Sequence, residues 1–109
     1  MQITVTFRNL ESSDYLKTYV QEKLDRMDKL LERPGKADVV LQAEHPRRIA
    51  EVNLTSDRLS IHAREENDDM HAAKDLVADK VKKQLTKNRE KLQAHRTRSR
   101  NVVEDDMQI

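Results

Sequence analysis

The segment DDMHAAKDLVADKVKKQLTKNREKLQAHRTRSR, residues 68–100, predicts a long helix with one apolar side. At about 100° per residue, seven side chains fall on the same side of such a helix. They are Ala73, Val77, Val81, Gln84, Leu85, Asn88 and Leu92. Acidic residues interact favourably with the exposed amides of a helix N-terminus, so Asp68 or Asp69 is expected to cap this helix.

The other sides of this predicted helix are strongly basic. Four lysines at steps of three, four and four form a ridge along one flank of the apolar stripe: Lys80, Lys83, Lys87 and Lys91. Lys82, Arg89 and Arg96 fall on the opposite flank. Residues 74–100 hold ten Lys or Arg and three acids, although the whole chain has 21 basic and 20 acidic residues. A Lys-rich helix can be merely solvated, but charge sorted in this way favours an anionic partner such as nucleic acid.

Length and composition limit the class of protein. A chain of 109 residues is expected to form one domain around a single core. It has no Cys, which excludes disulfides, thiolate zinc sites and thiol nucleophiles, and fits a reducing compartment. No apolar run approaches the roughly 20 residues of a membrane span, and the polar start is not a signal peptide. The sequence therefore predicts a cytoplasmic protein without a membrane partner.

The first third of the chain predicts a strand followed by a helix. Residues 2–8 alternate, with Ile3, Val5 and Phe7 pointing one way. Ser12 or Ser13 is expected to cap a helix over residues 13–32, which the Pro34-Gly35 pair ends. Four basic residues follow one flank of its apolar stripe: Lys23, Arg26, Lys29 and Arg33. Acids are interspersed among them, so a solvated face is a strong alternative here.

Three further alternating segments, over residues 37–43, 50–55 and 58–64, predict strands joined by short turns. Since such strands bury one face, both helices should cover that same face. The fold class is therefore α+β, a two-layer β-α-β-β-β-α sandwich with a four-stranded sheet. We expect this domain to occupy residues 1–95 and a mobile polar tail to occupy residues 96–109.

Motifs for catalysis or cofactor binding are missing from the sequence. A single glycine, Gly35, excludes a Gly-rich phosphate loop. The four histidines are too scattered for a recognisable metal motif, and no serine stands in a nucleophile elbow. We therefore expect a protein that is not an enzyme, with no cofactor, no metal and no small-molecule substrate.

Three segments of the second helix carry a family resemblance: Asp69-Met70-His71-Ala72-Ala73-Lys74-Asp75, Asp79-Lys80-Val81 and Gln84-Leu85-Thr86-Lys87. Together with the element order, they resemble the ribosome hibernation-promoting factors, also called ribosome-associated inhibitors or sigma-54 modulation proteins. The similarity spans about residues 1–95. His71 stands where that family usually has Tyr, and Lys74 stands where it has Ile.

The resemblance implies a fold similar to a double-stranded-RNA-binding domain, placed on the small ribosomal subunit. Such proteins occupy the channel of messenger RNA and transfer RNA at the A and P sites, and block translation without catalysis. The implied partners are the small subunit with its rRNA and the whole ribosome, and the free protein should be monomeric and unable to pair ribosomes unaided. The alternative is a protein-binding regulator, for example of a transcription factor, without RNA contact.

The resemblance also implies which residues bind RNA. Lys80, Lys83 and Lys87 match basic positions of the family's second helix, and Lys23 and Arg26 match those of its first helix. Helix geometry adds Lys91, Lys29 and Arg33 to this set.

Overall fold

The structure, a computed structural model, describes the backbone of residues 1–108 and the side chains of residues 1–91. Its elements run in the order β-α-β-β-β-α, with a short 3-10 turn after the first helix. Their bounds are β1 Gln2–Arg8, α1 Asp14–Asp25, the 3-10 turn Arg26–Leu30, β2 Lys36–Glu44, β3 Arg47–Ser56, β4 Leu59–Asn67 and α2 Met70–Gln108.

The four strands form one mixed sheet in the order β1-β2-β3-β4. β1 lies parallel to β2, which requires a crossover connection, and α1 with the 3-10 turn supplies it. β2, β3 and β4 pair antiparallel as a meander. The register places Val39 beside Val52, and Leu54 beside Ile61, so the inward rows of neighbouring strands coincide. The predicted α+β fold class is confirmed.

Both helices pack on the same face of this sheet. Leu24 of α1 and Val81 and Leu85 of α2 are at most 1% exposed, as are Val52 and Leu54 of β3. These residues belong to a single apolar cluster that joins the two helices to the inward faces of the strands. The outward face of the sheet carries mainly polar side chains, as the alternation of the sequence indicated.

The first helix is shorter than its predicted span of residues 13–32. Ser13 does cap it, since its Oγ accepts the amide of Leu16 at 3.2 Å. The α-helix ends at Asp25, however, and Leu31 already has an extended backbone. Met27 and Leu30 are three residues apart, and side chains at that spacing align in a 3-10 helix, so the tighter turn keeps both against the core.

The second helix is longer than predicted. Asp69 caps it, because its carboxylate accepts the amide of His71 at 3.0 Å. The helical backbone continues to Gln108, beyond the predicted end at Arg100, since no Pro or Gly interrupts it. The side chains of residues 92–109 lie outside the described residues, so the mobile tail stays a prediction. No helix in the described part of the chain is long and apolar enough to cross a membrane.

Candidate nucleic-acid interface

The core fixes the lysine ridge of α2 in place. Val77, Val81 and Leu85 are buried against the sheet, whereas Lys80, Lys83, Lys87 and Lys91 are exposed. Side chains that share a helix with buried anchors keep constant spacing along its axis. The structure therefore presents the four lysines as a row on a rigid element.

Lys80 differs from the other three ridge lysines because the protein itself engages it. Its Nζ lies 3.3 Å from a carboxylate oxygen of Glu65 and donates to the carbonyl of Arg64 at 3.4 Å. Both partners belong to β4, so the ridge flank of α2 faces the β4 edge of the sheet. Lys80 must leave this ion pair before it can bind another anion with its full charge.

Lys83, Lys87 and Lys91 form no ion pair with any side chain of residues 1–91. Lys83 and Lys87 line a shallow depression on the solvent side of α2, together with Lys82 and two acids, Asp79 and Glu90. The sequence placed Lys82 on the opposite flank. Residues 82 and 83 are consecutive and about 100° apart, so they border this depression from its two sides.

Of the four predicted residues of the first helix, Lys23, Lys29 and Arg33 lie on the other side of α2. Lys23 is half-buried, with its Nζ 5.7 Å from the centre of the Tyr19 ring. Arg26, Lys29 and Arg33 are exposed, and the last two line a cleft of about 660 Å³ with Arg58 and Arg89. We call this the basic cleft. It lies between the 3-10 turn, the β3–β4 turn and α2.

The predicted residues therefore fall in two groups on different sides of α2, and not in one continuous patch. Lys80 faces β4 and Lys83 and Lys87 lie toward solvent, whereas Lys23, Lys29 and Arg33 follow the side where α2 meets α1 and the 3-10 turn. Sequence reasoning missed Arg58 and ranked Arg89 below the ridge. A helical projection orders residues around α2, but it does not show which neighbouring element each flank meets.

A second cluster joins the two helices directly. Lys74 is only 5% exposed, and its Nζ lies 3.4 Å from the centre of the Tyr19 ring and 3.2 Å from the carboxylate of Asp75. The Tyr19 hydroxyl donates to the same Asp75 oxygen at 2.5 Å. Lys74, one of the ten basic residues counted in this part of the sequence, is therefore part of the contact between α1 and α2.

The hydrogen bond between Tyr19 and Asp75 shifts the pKa values of the two groups in opposite directions. The Tyr19 hydroxyl lowers the pKa of Asp75 below its ordinary 3.8, with Lys74 adding to the effect. The Asp75 carboxylate in turn raises the pKa of Tyr19 above 10.0, and burial acts in the same direction. A lowered acid pKa stabilises the fold above pH 3.8, and a raised tyrosine pKa stabilises it below pH 10.

Replacing Asp75 by Asn should therefore destabilise the protein at neutral pH but much less in acid. Asp75 is half exposed, so we expect a loss of only about 1 kcal/mol in the free energy of unfolding at pH 7. The difference should shrink as the pH falls below 3.8, and it should be lost once the pH passes the lowered pKa of Asp75 in the folded protein, because the wild-type carboxylate is then protonated as well. Urea denaturation at pH 3 and pH 7 measures this, with Asp79→Asn, an exposed acid on the same helix, as the control. An equal loss at both pH values would contradict the ionic contribution.

The residues that the structure describes contain no group of three or more His, Asp or Glu that could hold a metal ion. The candidate interface consists of exposed cations on rigid elements. Exposed lysine and arginine side chains bind phosphate through charge, and arginine can also donate two parallel hydrogen bonds.

Comparison with known sequences decides the family. The family model described as "Sigma 54 modulation protein / S30EA ribosomal protein" matches residues 3–93. The chain belongs to this family. Among curated relatives, the ribosome hibernation promoting factor of Klebsiella oxytoca is 35% identical over 95 residues, which cover 87% of this chain and 100% of the relative. The Escherichia coli K12 protein of the same name is 34% identical with the same coverage.

Solved structures share the fold of this family member. The N-terminal domain of Thermus thermophilus Protein Y is 30% identical, with a TM-score of 0.73 over 80% of this chain and 98% of that chain. A ribosomal subunit interface protein from Coxiella burnetii gives the same TM-score at 24% identity, over 83% of this chain and 99% of that chain. The second likeness, at this lower identity, shows the fold alone.

The two departures from the family pattern both contact tyrosines of α1. His71 packs edge-on against Tyr15, with ring centres 5.9 Å apart, and Lys74 lies over Tyr19. Both residues therefore belong to the contact between the two helices, and neither lies in the lysine ridge.

Proposed function

We propose that this protein binds the small ribosomal subunit through the basic surfaces of its helix layer and holds the ribosome inactive. In this role it occupies the channel of messenger RNA and transfer RNA at the A and P sites, in the cytoplasm. The observation that carries the proposal is the row Lys83, Lys87 and Lys91, exposed and free of ion pairs among residues 1–91, on a helix anchored in the core. The names of its relatives as ribosome hibernation promoting factors support it.

The exposed lysines suit contact with RNA phosphates better than recognition of bases. Lysine rows bind the RNA backbone and set register, but they read no sequence. Sequence-specific RNA readers stack bases on aromatic side chains, and aromatic residues make up only 3% of this chain. Folded rRNA offers a fixed arrangement of phosphates, so a rigid row of cations can recognise shape. Blocking by occupancy needs no catalytic group.

Purified protein should cosediment with small subunits and whole ribosomes in a strongly salt-dependent manner. If six or more phosphates are contacted, affinity should fall by about a thousand-fold or more between 50 and 200 mM salt. Sedimentation over that range measures it, with separated large subunits as the control. Binding that does not change with salt would rule out a phosphate-based interface.

The alternative, a regulator that binds only protein, predicts a different result with ribonuclease. Association through rRNA should disappear when the ribosomes are digested before sedimentation. A complex that persists after digestion would favour a protein partner.

A further inference from the structure

The basic cleft gathers cations from three separate elements. Lys29 and Arg33 come from the end of the first helical segment, Arg58 from the β3–β4 turn and Arg89 from α2. All four side chains are exposed, and none forms an ion pair with the side chains of residues 1–91. Two acids, Glu32 and Asp57, also line the cleft. Among the described lining residues, four cations against two acids leave a formal balance of +2.

The end of β3 positions two of the segments that form the cleft. The Ser56 side chain is buried, and its hydroxyl donates to the carbonyl of Arg33 at 2.7 Å, which holds the segment carrying Arg33 on the end of β3. Asp57 takes a left-handed backbone with φ of 52°, which lets the chain turn at once into Arg58. Arg33 and Arg58 are therefore positioned by the same strand end.

The remaining lining suits a nucleotide better than a bare ion. Leu30, Leu31 and Leu59 are half-buried and give the cleft an apolar part, while Ser60 and Asn88 add hydrogen-bonding groups. At about 660 Å³ the cleft lies within the usual size range of small-molecule sites, roughly 300 to 1,000 Å³. Arginine forks match phosphate oxygens in a bidentate manner.

We propose that the basic cleft holds one nucleotide, with its phosphate against Arg33, Arg58 and Arg89 and its sugar or base against the leucines. The nucleotide is either part of rRNA, in which case the site rests on the proposed function, or free in solution. This gives Arg58, in the β3–β4 turn, and Arg89, on α2, a role that the sequence pattern does not predict.

A paired substitution tests the rRNA source. Arg58→Gln with Arg89→Gln should weaken ribosome binding roughly 10- to 100-fold at low salt and lower the slope of log affinity against log salt by about two. The control is Arg8→Gln with Lys36→Gln, two exposed cations on the outward face of the sheet. The charge-preserving pair Arg58→Lys and Arg89→Lys should fall in between, because it keeps the charges but loses the forks.

A chemical probe gives a readout that does not depend on removing charge. The chain has no Cys, so Asn88→Cys places a unique thiol at the cleft for a photocrosslinker. We expect this variant to crosslink rRNA, whereas Ser12→Cys, exposed before α1, should not. Equal yields from both positions would count against a nucleotide in the cleft.

Titration of the free protein with adenosine monophosphate tests the other source. Millimolar or tighter binding that disappears in the Arg58→Gln, Arg89→Gln protein would assign the cleft to a free nucleotide. The proposal is overturned if wild-type protein binds ribosomes, the cleft and control variants bind equally well, and the monophosphate does not bind. If wild-type protein fails to sediment with ribosomes, the proposed function fails and the titration alone decides the cleft.

Discussion

Replacing Lys83, Lys87 and Lys91 together by Gln is expected to weaken ribosome binding and to reduce its salt dependence while leaving the fold intact. All three side chains are exposed, and the apolar stripe of α2 is unchanged by the substitutions. Three lost phosphate contacts should lower the slope of log affinity against log salt by about 2.7, and affinity at 0.1 M salt on the order of a few hundred-fold. Sedimentation across a salt series measures both quantities, and circular dichroism checks the fold.

A variant with the same loss of charge on the outward face of the sheet is the control: Arg8→Gln, Lys36→Gln and Arg47→Gln. Arg47 is paired with Glu66, but Arg64 also pairs with that carboxylate and can keep it satisfied. Adding Lys80→Gln to the ridge variant should change the slope by less than one further unit, since Lys80 is already paired with Glu65. Equal losses from the ridge and the sheet variants would mean a diffuse charge effect, and the ridge would have no special part.

Truncating the core beneath the ridge should have the largest effect on stability. Leu85 is 1% exposed and packs in the cluster that joins α2 to the sheet. Leu85→Ala should lower the free energy of unfolding by about 2 to 5 kcal/mol, because a cavity is added to the lost burial. Leu76→Ala on the same helix, where Leu76 is 44% exposed, should change it by less than about 0.5 kcal/mol. Urea denaturation measures both, and similar losses would contradict the packing of α2 on the sheet.

The fold could be predicted because its elements have regular periods. Strand alternation placed Val39, Val52 and Leu54 inward, and helical spacing placed Val81 and Leu85 inward; all five are buried. Each strand and helix has one apolar face. Burying all of these faces together requires both helices to lie on the same side of the sheet. The boundary of the first helix was less predictable, since an apolar spacing of three suits both an α-helix and a 3-10 turn.

The candidate site was only partly predictable from the sequence. Exposure of the ridge lysines follows from helical spacing, because it depends on one element alone. Burial of Lys74 depends on Tyr19, 55 positions earlier in the chain, and the place of Arg58 depends on where the 3-10 turn lies. No local pattern encodes such contacts between elements. Charge counts along the sequence therefore did not separate Lys74 from the other basic residues of α2 and did not single out Arg58.

The order of elements along the chain also determines when the charged surface first exists. Chains are made from the N-terminus, and all four strands of this sheet precede α2. Until residues through Leu85 have been added, the inward side chains of β3 and β4 lack the helix that covers them. The element that completes the core is the one that carries the ridge. A partly made chain therefore has no fixed row of lysines with which to engage the ribosome that is making it.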